Sequence, residues 1–133
     1  VGLEGSKTFV EMARSSTDSD VLHQDFIRMN LPKHKFDGVF ANAFLFHVPS
    51  QELPRVLLEI HQSLKKKGVF FCSNPRGKNE EGWNGNRYGC FYNLDTWLNY
   101  VTSAAFKELN HFYRPEGVPF NQQPWLATVW RKI

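Results

Sequence analysis

The sequence predicts an α/β fold, a mostly parallel sheet flanked by helices, in one domain over residues 1–133. Three observations carry this. Short apolar runs alternate with longer stretches of helical period between turn signals, the pattern of βα units. The run Val69 to Cys72 is apolar on consecutive residues, as a strand covered on both faces is. Finally, 133 residues with 41% apolar composition supply one core and are too few for two ordinary domains.

Each element has a local reason. VGL reads as the end of a strand, and Ser6 to Arg14 as a short helix with Phe9, Met12 and Ala13 on one face. Polar SSTDSD ends it, and a second short strand around Val21 and Leu22 closes at Asp25 before the loop RMNLPKHK. Asp37-Gly38 turns the chain into the strand VFA. Ser50 is expected to cap a helix with Glu52 in its first turn and a stripe of Leu53, Val56, Leu57, Ile60 and Leu64. Lys65, Lys66 and Lys67 then complement the helix dipole, and Gly68 takes the left-handed position after it. The segment SNPRGKNEEGWNGNRYGCFYN, rich in glycine and polar residues, reads as a long loop. Asn93 caps a helix with the stripe Leu94, Trp97, Leu98, Val101 and Ala105. Strands around Leu109 to Tyr113 and Trp125 to Trp130, joined by RPEGVPFNQQP, close the sheet in hairpin fashion.

Composition excludes several classes. The 16 basic residues exceed the 13 acidic ones by three, giving a pI near 9.0, but they are spread along the sequence and form no nucleic-acid footprint. No run approaches the roughly 18 apolar residues of a membrane span. Cys72 and Cys90 have neither metal nor disulfide spacing, so reduced thiols in a cytoplasmic compartment and no metal are expected.

The functional question lies in FDGVFANAFLFHVP, where only Asn42 interrupts the apolar residues from Val39 to Phe46. Either one strand runs through it or a strand ends at Asn42. His47 follows the apolar turn and is the candidate general base by position and chemistry, with packing or capping as its alternative. Trp83, Arg87, Tyr88 and Tyr92 of the long loop can wall an acceptor pocket as a lid, or be ordinary loop residues.

In order, the pieces VGLEGSKTFVEMAR, VLHQDF, FDGVFANAFLFHVP, ELPRVLLEIHQSLKKKGVFF, LDTWLNYVTSAAF and PWLATVWRK resemble the small class I S-adenosylmethionine-dependent methyltransferases. The resemblance implies a Rossmann-like sheet of seven strands with the last one inserted antiparallel. It implies S-adenosylmethionine as cofactor and a small-molecule acceptor. Glu4, with Gly5 beside it, would accept hydrogen bonds from the cofactor ribose, and Asp25 and the Phe26 amide would meet the adenine. Asn42 and Ala43 would lie near the sulfonium. Methyl transfer is an in-line displacement that needs alignment in a dry pocket more than a metal.

The family's first strand, the glycine-rich turn and the first helix have no counterpart, so a fold truncated at the N-terminus is expected. In the family sheet that strand lies between the second and fourth, so two strand edges are expected to lack partners; either those strands close up against each other, or a further N-terminal part of the protein fills the gap, or, as is expected here, a homodimer completing the sheet covers it. A non-catalytic remnant acting as a binding or regulatory subunit is the competing function. Ala104-Ala105-Phe106 replaces the glycine usual before the phenylalanine, so Ala105 is expected to carry a positive φ at about 1 kcal/mol cost.

Overall fold

The computed structural model describes every residue except Gly5, Ser6, Asp18 and Ser19, and of Glu4, His23 and Phe26 it describes the backbone alone. The chain divides into two compact units, Val1–Asn30 and Leu31–Ile133.

In the first unit, β1 (Gly2–Glu4) and β2 (Val21–His23) form a parallel pair, Gly2 opposite Val21, joined through α1 (Lys7–Ser16). Arg14 Nη2 donates to Val21 O at 3.0 Å and ties the helix to the second strand. The stripe expected on α1 is not the one it buries: Phe9 and Met12 are each 58% exposed, and Val10 is the buried residue. Ser15 and Ser16 extend the helix past Arg14, their hydroxyls donating back to Glu11 O and Met12 O at 2.9 Å.

The second unit builds a four-stranded sheet from β3 (Phe36–Asn42), β4 (Leu64–Pro75), β7 (Phe106–Arg114) and β8 (Trp125–Lys132), in the order β3-β4-β8-β7. β3 and β4 are parallel, and β8 runs antiparallel to both β4 and β7, so the last strand is inserted against the others, as expected. Asp37-Gly38 is no turn but a register shift inside β3. Two helices, α2 (Leu53–Ser63) and α3 (Leu94–Ser103), are amphipathic, and the predicted α2 stripe is buried throughout. Trp97 Nε1 of α3 donates to Thr128 Oγ1 at 3.1 Å, and His61 of α2 stands edge-on to Phe106. Thr128 and Phe106 lie on the face that also carries fully buried Phe70 and Trp130. Asn93 caps α3 as expected, its side chain accepting from Thr96 N at 2.9 Å.

Three expectations fail here. Ser50 does not cap α2, because the helix starts two residues later, after Glu52, with Pro54 in its first turn; the Ser50 N–H donates instead to Glu81 Oε2 at 3.1 Å. Lys65, Lys66 and Lys67 belong to β4 and not to the last turn of α2, whose C-cap is Leu64. Lys67 takes the left-handed backbone, with φ 63°, and Gly68 does not; Gly68 is there because a Cβ would meet Lys65 O at 2.9 Å and Leu64 Cβ at 3.0 Å. The expected long loop contains a hairpin, β5 (Glu80–Asn84) paired antiparallel with β6 (Arg87–Phe91), turning at Gly85 with φ 65°. Among the described residues β1 bonds only to β2 and β3 only to β4, so each keeps one edge free of strand partners.

Candidate active site

β3 ends at Asn42. Ala43 adopts φ 60°, a conformation costly to a residue with a Cβ, and its N–H still reaches Ser73 O at 2.9 Å. The chain then enters a 3-10 turn at Leu45–His47 whose Leu45 is wholly buried. The apolar stretch is thus a strand, a break and a packed turn. Breaking there opens a cavity of about 810 Å³ at the C-terminal ends of β3, β4 and β7, lined by Asn42, Ala43, Ser73, Phe112, Arg114, Pro115, Glu116 and Trp125. Ligands of α/β sheets gather at this edge. Ser73 is 3% exposed, so its hydroxyl sits in the floor, while Asn42 is exposed at the rim.

One wall is the β7–β8 connection, and Arg76 fixes it. Its Nε donates to Gln123 O at 2.6 Å, its Nη2 donates to Phe120 O, and its guanidinium carbon lies 3.7 Å from the Phe120 ring centre. Arg114 and Glu116 enter the cavity from that wall and bring one charge of each sign.

The β5–β6 hairpin is anchored separately. Glu81 accepts from Ser50 and from the Tyr88 hydroxyl, and these bonds hold its carboxyl down at about 2. The same bond to Glu81 pushes the Tyr88 phenol up to about 12. His47 Nδ1 is 2.8 Å from Tyr88 O; because a carbonyl only accepts, Nδ1 carries the hydrogen, and in the neutral ring Nε2 presents its lone pair. His47 lines a smaller cavity, about 190 Å³, with Phe46, Arg87 and Tyr88 among its walls.

The structure therefore brings Asn42 and Ala43 together in one cavity, and His47, Arg87 and Tyr88 in another. Trp83 is 72% exposed and edge-on to Tyr88. Tyr92 is no lid residue: it is 7% exposed, stacked on Trp97, with burial raising its phenol. Asp25 Oδ1 accepts from Ile27 N at 3.0 Å and caps the 3-10 turn Phe26–Arg28, so one carboxylate oxygen already has a structural partner. Glu4 ends β1, and its side chain, that of Phe26 and all of Gly5 lie outside the described residues. Ser73, Arg114, Glu116 and Trp125 escaped the sequence reading because β4, the end of β7, the link after it and the start of β8 deliver them; the signal for Arg114 and Glu116 was the polar, proline-bearing link between two strands.

A profile of the methyltransferase-domain family matches residues 1–72, more than half of the chain. The chain belongs to that family. A search of curated proteins by sequence found no match. Among solved structures, the methyltransferase is similar to an S-adenosylmethionine-dependent methyltransferase from Mesorhizobium loti, with TM-score 0.79, 18% identity and coverage of 98% of this chain and 79% of that one. It is also similar to the Burkholderia thailandensis 1,6-didemethyltoxoflavin-N1-methyltransferase, solved with 1,6-didemethyltoxoflavin and S-adenosylhomocysteine bound, with TM-score 0.79, 16% identity, and coverage of 98% of this chain and 59% of that one. The [4+2]-cyclase SpnF has the same fold, with TM-score 0.73, 16% identity, and coverage of 98% and 65%. The methyl donor of the family is S-adenosylmethionine, which when bound supplies an electrophilic methyl carbon on a sulfonium. The end of β3 fits such a donor, since the break at Ala43 opens an edge walled by the Asn42 amide and the Ser73 hydroxyl.

Proposed function

We propose that this methyltransferase transfers the methyl group of S-adenosylmethionine to a small-molecule acceptor, working as a single domain over residues 1–133 in a cytoplasmic setting. The observation that carries the reading is the cavity of about 810 Å³ opened by the strand break at Asn42 and Ala43. Its size is that of a small-molecule pocket, which runs from about 300 to 1,000 Å³. On the donor side Glu4, Gly5, Asp25 and the Phe26 amide hold ribose and adenine, and Asn42 and Ala43 orient the sulfonium end. On the acceptor side Trp125 and Phe112 give apolar walls, and Arg114 and Glu116 give the polar contacts that fix orientation. Alignment is the chief requirement of an in-line displacement, and the rigid pinning of the wall by Arg76 serves it. His47 acts as general base only for an acceptor that also reaches the hairpin cavity, where Nε2 is the free nitrogen and Arg87, Tyr88 and Trp83 are its neighbours.

The open edges of β1 and β3 favour association of two copies, and Phe40 on β3 is 72% exposed. Light scattering is expected to give twice the 15.5 kDa of the chain, and a monomer would reject the dimer.

Calorimetric titration with S-adenosylhomocysteine tests the function. Heat of binding is expected, reduced at least tenfold in affinity by Glu4→Ala. No binding at millimolar ligand would instead make the chain a non-catalytic binding subunit of the same fold.

A further inference from the structure

The edge of the second unit's sheet opposite the cavity at Asn42 has a different character. A cavity of about 820 Å³ there is lined by His34, Lys66, Lys67, Lys107, Arg131, Lys132 and Ile133. The residues meet because β4 begins, β7 begins and β8 ends at this edge. Lys107 pairs with Arg131 across β7–β8, and Arg131 pairs with Val69 across β8–β4. The strand geometry at the start of β4 then concentrates the charge. Arg131 Nη1 donates to Lys67 O at 3.0 Å and Lys132 Nζ donates to Leu64 O at 2.8 Å, so both cations are drawn onto the segment that carries Lys66 and Lys67.

Five cations line this cavity and no carboxylate side chain does. Among the described residues none of the five is in an ion pair; the nearby pair, Lys65 with Asp37 at 3.5 Å, uses a lysine outside the cavity. The Ile133 carbonyl is bonded to His61 Nε2 at 3.2 Å, not to a lysine. These five account for more than the whole charge excess of the protein: of 16 Lys and Arg, 11 remain elsewhere against 13 acidic residues. A mixed, solvated surface would intersperse the signs; here one concave site holds the imbalance, and like charges so gathered raise the local concentration of anions. The end of α2 accounts for part of this, since Lys132 Nζ bonds the carbonyl of its C-cap Leu64, but Lys107 and Arg131 come from β7 and β8 and owe nothing to that helix.

We propose that this cavity binds a compact anion carrying several phosphate groups. Its volume suits a small molecule, and its ammonium and guanidinium donors match clustered phosphate oxygens. The lining has no aromatic ring on which bases could stack, which separates it from the platforms of single-strand nucleic-acid binders. The site is independent of the methyl-transfer reading.

The test is calorimetric titration of the full chain with inorganic tripolyphosphate at low and at physiological salt. One-site binding in the micromolar range is expected, weakening as salt rises, with orthophosphate at least tenfold weaker. Lys67→Glu with Lys107→Glu should weaken tripolyphosphate at least tenfold while circular dichroism stays unchanged. Lys78→Glu, an exposed residue on the segment before the hairpin, should change it less than twofold. ATP binding as tightly as tripolyphosphate assigns recognition to the phosphates alone, and tighter ATP binding assigns it to a nucleotide; either supports the site. S-adenosylhomocysteine, which has no phosphate, should not compete. Absence of heat up to millimolar tripolyphosphate, an equal loss in Lys78→Glu, or tighter binding of a short single-stranded RNA would overturn the proposal.

Discussion

In Leu31–Ile133, a four-stranded sheet buries Trp97, Trp130, Phe70 and Phe106 to within 2% of complete, whereas in Val1–Asn30 a parallel ladder of three residue pairs is backed by buried Val10, Val21 and Met29. The larger unit holds its shape by apolar burial. Among the described residues, the smaller one is tied by contacts such as Arg14 to Val21 O. The donor-side candidates Glu4, Gly5, Asp25 and Phe26 all belong to the smaller unit, and Asn42, Ser73 and Arg114 to the larger. In the proposed reading, the acceptor-side candidates thus sit on the larger unit and most of the donor-side candidates on the smaller one.

Mutations can break that contrast. Trp97→Ala removes the largest buried side chain of α3 together with its bond to Thr128, and is expected to cost about 3–5 kcal/mol of unfolding free energy in urea titration. Val10→Ala, in the smaller unit, removes about two buried methylene equivalents and is expected to cost about 1–2 kcal/mol. Equal losses from the two would mean that the units are held alike.

The same contrast explains what could be read from the sequence. The stripe of α2, the strand end at Asn42, the cap at Asn93 and the antiparallel last strand were legible because burial by the core imposes a period or a stop that composition reveals, whereas of the expected α3 stripe only Trp97 and Val101 are buried and Ala105 lies exposed beyond the helix. The positive φ expected at Ala105 is present, at 66°. The α1 stripe was misread because a short helix with one buried residue leaves too few positions to define a face. The hairpin was hidden because its order comes from side-chain anchoring: Glu81 reaches Ser50 across 31 residues, and composition carries no trace of such a pair. The lysine run looked like a helix terminus because α2 passes into β4 without a loop, its C-cap Leu64 being the first strand residue. The rest of that cavity's lining was hidden for a topological reason, since Ser73, Arg114 and Trp125 converge on Asn42 from three further strands.

Smaller effects sharpen the account. Ala105→Gly relieves a left-handed backbone at the end of α3 and is expected to stabilise the larger unit by about 0.5–1 kcal/mol, read as a higher urea midpoint. Glu81 gives the smallest effect and a pH signature. Its carboxyl is held at about 2 in the folded chain against an ordinary 4.5, so its contribution is complete above about 4.5 and is lost as pH falls toward 2. Glu81→Gln should flatten the acid side of the stability profile in that window, and because Glu81 is largely exposed the change should be small.

The proposed function requires that Glu4 and Asp25 of the smaller unit and Asn42 and Ala43 of the larger each respond to the cofactor. Amide hydrogen exchange with and without S-adenosylhomocysteine reads both at once. The account predicts slower exchange at the ends of β1 and β2, near Glu4 and Asp25, and at Asn42 and Ala43 at the end of β3, on adding the ligand. Protection confined to one unit, or to neither, would contradict it.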